Sequence, residues 1–201
     1  MARMRQLTDD EIRAFENAII KNFKGKSRRK KMSVLALFML GLRSVEVRSI
    51  KVNDIIRHGE IVEWLVVRSA KTREARYRQI PVPDTIKRIL LVNVRRDREF
   101  VAYSGKGGAL TKQWLWVEIR KIFKLAGICG AGSHSFRRTF IVKLSRSGVD
   151  IETIRQLVGH TSLRSTQEYL VSDHKRKKRA VGVMGKILES TMISKKVENI
   201  Y

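Results

Sequence analysis

Two stretches hold the residue types that phosphate-ester chemistry needs. In SHSFRRTF, His134 and Arg137 stand three apart, so on a helix they share one face. A guanidinium keeps its charge and can grip two oxygens, while an imidazole takes or gives a proton near neutral pH. In VGHTSLRSTQEYL, His160 is followed by Tyr169. A phenol with a pKa near ~10 is a weak nucleophile until its proton is removed or cations stabilise its phenolate. Tyr77, Tyr103 and Tyr201 have no comparable company. Taken alone, the His134–Arg137 pair also reads as a surface pair touching water.

Arg43 strengthens the chemical reading. It directly follows the apolar run LALFMLGL, where a charge is costly unless paired. Glu46, one helical step on, can pair with it. The pair is either a structural salt bridge or a device that orients the guanidinium and leaves one edge for an anion. A second arginine suits a pentavalent phosphorus, whose charge spreads over several oxygens. Lys71 lies in AKTREA between two β-branched runs. It is a solvated loop-tip charge or, if neighbouring cations lower its pKa, a proton donor to a departing hydroxyl oxygen.

These groups need a scaffold. Thr8 with Glu11 reads as a capping box opening a helix. KNFKGKSRRKK reads as a loop dense in positive charge, and MSVLALFMLGL as a helix buried on all sides. RSVEVRSIKVNDI begins a short helix. EIVEWLVVRS and RYRQIPVP read as two strands of a hairpin or small sheet. PDTIKRILLVNVRRD returns to helical periodicity, YSGKGGALT is a glycine-rich loop, and KQWLWVEIRKIFKLAG is an amphipathic helix ending in glycine. Three short helices separated by glycine follow, from SHSFRRTFIVKLSRSG to SLRSTQEYL. The expected class is α+β, mainly helical, with a small antiparallel sheet inserted among the helices.

The 201 residues suit one domain, or one domain and a tail. A formal net charge of +24 repels itself, which points to a polyanionic partner, nucleic acid before an anionic membrane surface. No apolar run approaches the ~20 residues of a membrane span, and the N-terminus has no apolar signal core, so a cytoplasmic, DNA-associated location is expected. The single cysteine, Cys129, fits a reducing compartment and reads as a small buried hydrophobe. The histidines have no carboxylate or cysteine at ligand spacing, so no metal site is expected. SGKGGALT lacks the ending of a nucleotide-binding loop, and no cofactor is expected.

GLRSVEVRSI, AKTREARYRQIPV, HSFRRTFIVKL and LVGHTSLRSTQEYL fall in the order and rough spacing of tyrosine recombinases, the phage-integrase family, and the sequence resembles that family over roughly residues 8–172. By resemblance, Arg43 is the family's first arginine, with Glu46 the acidic residue that supports it. Lys71 is the sheet-turn lysine, His134 and Arg137 the histidine–x–x–arginine motif, His160 the second histidine and Tyr169 the nucleophile. The resemblance implies a metal-free DNA transesterification through a 3′-phosphotyrosyl link. It implies double-stranded DNA as partner, a homo-oligomer from dimer to tetramer on DNA, and room for accessory proteins. A non-catalytic DNA-binding regulator and a type IB topoisomerase-like relaxing enzyme are the alternative readings.

Residues 1–172 are expected to form the catalytic domain. Residues 173–201 are expected to form a basic hinge and a last helix that packs on its own domain or on a neighbouring copy. The resemblance implies that most members of the family carry a preceding helical domain, and the early position of Arg43 leads to the expectation of no such separate domain here. The grip on DNA is then expected from Lys24, Lys26, Arg28, Arg29, Lys30 and Lys31, with Arg73 and Arg138.

Overall fold

A computed structural model of the chain describes residues 5–68 and 77–167. Lys71, Arg73, Tyr169 and the expected hinge and last helix lie outside the described residues.

The first helix, α1 (Asp9–Asn22), opens on the expected capping box. Thr8 Oγ1 accepts from the Glu11 amide at 3.1 Å, and Glu11 Oε2 accepts from the Thr8 amide at 2.9 Å. Three acidic residues in the first turn, Asp9, Asp10 and Glu11, suit the positive end of the helix dipole. Phe15, Ala18 and Ile19 form its buried stripe.

Helix α2 (Gly25–Met39) starts earlier than its composition suggested. KSRRKK is its first half rather than a loop. Lysine and arginine are good helix formers, and the apolar run that follows supplies the packing that carries the helix back to Gly25. The charges are also answered: Lys30 and Lys31 reach Glu118 at 3.0 and 3.4 Å, and Lys31 Nζ sits 4.3 Å from the Phe23 ring centroid. Residues 31–38 are all buried, as expected of a helix covered on every side.

Two short helices, α3 (Ser44–Ser49) and α4 (Val52–Ile55), lead into the strands. The sheet expected here is two separate antiparallel ribbons. In one, β1 (Ile56–Arg57) pairs with β2 (Glu60–Ile61). In the other, β3 (Trp64–Arg68) pairs with β4 (Tyr77–Pro81), with Leu65 opposite Ile80 and Val67 opposite Arg78. The break inside EIVEWLVVRS comes where the Val62 amide donates to Ile55 and the Val82 amide donates to Glu63, so residues 62–63 change partner. Leu65, Val67 and Ile80 face the core.

Helix α5 (Asp84–Asn93) packs on α2, and a loop containing the buried Val101 and Ala102 joins it to α6 (Lys112–Leu125). Helices α7 (Ser133–Arg146), α8 (Ile151–Val158) and α9 (Leu163–Gln167) follow. The core gathers Phe15 of α1, Phe38 of α2, Phe123 of α6 and Phe136 of α7, with ring centroids 4.8 to 5.7 Å apart. Such aromatic contacts fix the four helices relative to one another. Cys129 is exposed, contrary to expectation. It lies in the turn between α6 and α7, flanked by Gly127 and Gly130 at φ 69° and 65°, and its carbonyl accepts from Arg5. The turn holds it by its backbone and leaves its side chain outside the core.

Candidate active site

The last turn of α8 is the centre of the site. A helix leaves its final carbonyls without partners inside the helix, at the negative end of its dipole. Here three arginines from three other elements donate to three consecutive carbonyls. Arg78 Nε of β4 reaches Leu157 at 2.8 Å. Arg137 Nη2 of α7 reaches Val158 at 2.5 Å. Arg43, the residue capping α3, reaches Val158 at 3.3 Å through Nη1 and Gly159 at 3.0 Å through Nη2.

Two glycines make this convergence possible. After α2 the chain turns through Gly41 at φ 75°, a conformation that side chains disfavour. A Cβ there would also lie 2.5 Å from the Phe140 ring, and the Gly41 carbonyl accepts from Arg137 Nη1 at 2.7 Å. Gly159 caps α8 in the left-handed region at φ 63°, and a Cβ on it would meet Arg78 Nη1 at 3.0 Å.

Glu46 ties Arg43 to Arg78. It is fully buried. Its Oε1 accepts from Arg43 Nη1 at 3.0 Å and from Arg78 Nη1 at 2.9 Å, and its Oε2 accepts from Arg78 Nη2 at 2.8 Å and the Arg43 amide at 2.7 Å. Burial pushes its pKa up. The hydrogen bonds and charge of Arg78, the Arg43 amide and the Arg43 charge outweigh that and hold the carboxyl below its ordinary range. Two guanidiniums therefore face one carboxylate, and the excess charge is positive.

Arg78 was not among the residues singled out by sequence. The signal was available: in RYRQIPVP it alternates with Ile80 onto the inward face of its strand, where a charge demands a partner.

The histidines are placed differently. His160 follows the α8 cap; its amide donates to the Arg155 carbonyl at 3.1 Å and its Nδ1 lies 2.9 Å from Oγ1 of the buried Thr166 in α9. That contact fixes the ring's orientation. His134 is exposed, one turn before Arg137 on α7, and beside it Ser133 Oγ meets Ser44 Oγ of α3 at 2.9 Å. The fold thus brings Arg43, Glu46, Arg137 and His160 together, with His134 one turn away.

Of the basic residues assigned to DNA, those at the start of α2 do not join this cluster. Lys24, Lys26, Arg28 and Arg29 are exposed at the start of α2, and a helix of this length separates them from its far end by about 21 Å. Lys31 is a correction: it is buried, and desolvation lowers its pKa while Glu118 opposes that shift, so its ammonium belongs to the core. Lys30 likewise spends its charge on Glu118. Arg138, beside Arg137, is partly buried.

The class these features define is the mainly helical α+β catalytic fold of tyrosine recombinases. A solved XerA recombinase superposes with a TM-score of 0.70 at 21% identity, covering 92% of this chain and 66% of that one. A XerH site-specific recombinase bound to difH substrate gives 0.68 at 20% identity, covering 91% and 55%. In sequence, tyrosine recombinase XerA of Pyrococcus furiosus is 29% identical over 184 residues, 88% of this chain and 60% of the relative. Residues 5–176 match the phage integrase family, and the chain belongs to that family. It spans about three fifths of the length of the XerA relatives it matches, at 60% and 61%.

Proposed function

We propose that this chain is the catalytic domain of a site-specific DNA recombinase, with residues 1–172 as the domain and 173–201 as a hinge and exchanged or self-docking helix. The Tyr169 phenolic oxygen attacks a DNA phosphorus. A bond from that oxygen to phosphorus forms, the bond to the 5′ oxygen breaks, and a 3′-phosphotyrosyl ester remains. His134 helps take the phenol's proton, Lys71 protonates the leaving oxygen, and His160 hydrogen-bonds the phosphate. Arg43 and Arg137 stabilise the charge that develops on the non-bridging oxygens. The reverse attack by a 5′-hydroxyl of another strand reseals the DNA, and the ester conserves the bond energy in between.

The observation that carries this reading is the shared Val158 carbonyl. Arg43 and Arg137 come from residues far apart in sequence yet donate to one oxygen, at 3.3 and 2.5 Å. Two guanidiniums held that close are spaced for one phosphate. Family membership adds support, as does the lambda integrase solved as a dimer bound to a core site. On this reading the partner is double-stranded DNA, the working form is a dimer to tetramer on it, and the location is the DNA-containing cytoplasm.

The test is a nicked suicide substrate carrying the DNA that flanks the gene. Wild-type protein should form a covalent adduct, and Tyr169→Phe should bind the DNA without forming one. An undiminished adduct with Tyr169→Phe would remove the assignment. On supercoiled plasmid, a pure binder leaves topology unchanged, a relaxing enzyme acts without a special sequence, and a recombinase requires two copies of its site.

A further inference from the structure

We propose that the cleft between the β3–β4 ribbon and the C-terminal end of α8 is a subsite for an unpaired nucleobase of the DNA strand being cut. The identity of that strand rests on the recombinase reading; the cleft does not. It encloses about 630 Å³, with Trp64, Tyr77 and Gln79 on the ribbon side and Gln156, Gly159 and His160 on the other. That volume lies within the range of small-molecule sites, about 300 to 1,000 Å³.

The ribbon wall is aromatic. Its inward face buries Leu65, Val67 and Ile80, and its outward face carries Trp64 at 56% and Tyr77 at 63% exposure. Trp64 stands opposite Pro81, and Tyr77 opposite Arg68, so the two rings mark the two ends of the ribbon, about 13 Å apart along a five-residue strand. Val66, between them on the same face, is also exposed. An indole and a phenol turned to water on one short face form a stacking platform without a ring partner among the described residues.

The opposite wall is polar and carries no negative charge. The ionisable side chains that line the cleft, apart from Tyr77, are Arg78, Arg155 and His160, and no carboxylate lines it among the described residues. The acids that partner two of them, Glu46 for Arg78 and Glu152 for Arg155, lie outside the lining. An aromatic wall facing a polar one that no carboxylate lines, among the described residues, fits a ring carried on a phosphate, and every base offers a π-face.

The cleft also adjoins the proposed chemistry. His160 and Gly159 line it, and the Gly159 and Val158 carbonyls hold Arg43 and Arg137. A base in the cleft and a phosphate at the arginines would belong to adjoining nucleotides.

The experiment compares single-stranded and duplex forms of one oligonucleotide carrying 2-aminopurine, bound to the full chain. Trp64→Ala should lower the ratio of single-strand to duplex affinity by about tenfold, the loss of one stacked base. Trp64→Phe should restore most of it, and the quenching of 2-aminopurine on binding should follow the same order. Trp64 is more than half exposed, so its truncation leaves the core intact, which a melting curve verifies. An unchanged ratio in Trp64→Ala, or an equal loss on both DNA forms, overturns the proposal. So does competition at the cleft by an acidic aromatic peptide that leaves single-strand binding untouched. Absence of a covalent adduct from the wild-type chain counts against the recombinase reading alone; the affinity ratio decides the subsite.

Discussion

Arg78 and Glu46 form a two-point ion pair inside the protein, with Nη1 2.9 Å from Oε1 and Nη2 2.8 Å from Oε2. The carboxylate is fully buried and the Arg78 side chain is 10% exposed. Arg78 also holds the Leu157 carbonyl, so one guanidinium ties the ribbon to both the acidic residue behind Arg43 and the end of α8. Arg78→Ala removes one partner and leaves Glu46 short of charge in a buried place. The expected cost is about 3 to 5 kcal/mol of folding stability, measured by urea unfolding, with Arg78→Lys recovering only part of it because an ammonium cannot make the two-point contact.

Acid should weaken the same network. Glu46 has a folded pKa below its ordinary value of 4.5, so its contribution is fully present above that value and is lost as pH falls through the lower, folded one. Glu11 behaves alike: the Arg5 hydrogen bond leads the causes that outweigh burial and hold it at about 2. Unfolding free energies measured from pH 7 downward should fall below about pH 4.5. Glu46→Gln, which cannot ionise, should be less stable at neutral pH and lose less on acidification. Parallel pH profiles for the two proteins would contradict the assignment.

Arg137 reaches the Gly41 and Val158 carbonyls with two arms of one planar group. A lysine cannot span both and still present charge to a phosphate. Single-turnover adduct formation by Arg137→Lys should fall by about 10² to 10³, the typical loss of one transition-state donor. Stable duplex binding with that rate intact would argue that Arg137 is structural only.

His160 takes its orientation from Thr166. Thr166→Val removes the hydroxyl and keeps the shape. Adduct formation should drop by about tenfold, the worth of roughly one hydrogen bond, and its pH profile should shift. Thr166→Ser should retain the wild-type profile; a profile unmoved in both variants would separate Thr166 from the chemistry.

DNA affinity should fall steeply with salt. If about six phosphates are neutralised, binding weakens by roughly 10³ between 50 and 200 mM salt. A flat dependence would contradict a surface that tracks the phosphate backbone. Substituting Lys26 or Arg28 should reduce the slope by about one unit if the start of α2 touches DNA, and should leave it unchanged if it does not.

Much of the helical scaffold was legible because it is written locally. Thr8 with Glu11, the unbroken apolar run of α2, and the glycines after α6, α7 and α8 each act within a few residues. Reading KSRRKK as loop missed the helix because charge density by itself says nothing about backbone conformation, and the partner that answers it, Glu118, comes from a distant helix. Cys129 was misplaced because burial depends on which way a turn faces. The ribbon was divided differently because residues 62–63 take their hydrogen bonds from segments that no local pattern announces.

By itself the amino-acid order determined which groups are available: the arginines, histidines and tyrosine, the acidic residue behind Arg43, and a charge that calls for a polyanion. Residue type and short-range spacing are properties of the chain, and they survive in any conformation. Only the tertiary structure decided that Arg43, Arg78 and Arg137 share the carbonyl end of α8, that Lys31 turns inward, and that Trp64 and Tyr77 face an open cleft. Those outcomes depend on packing helices and a ribbon from distant parts of the chain around one core, where a helix end with unpaired carbonyls can gather cations that sequence distance keeps apart.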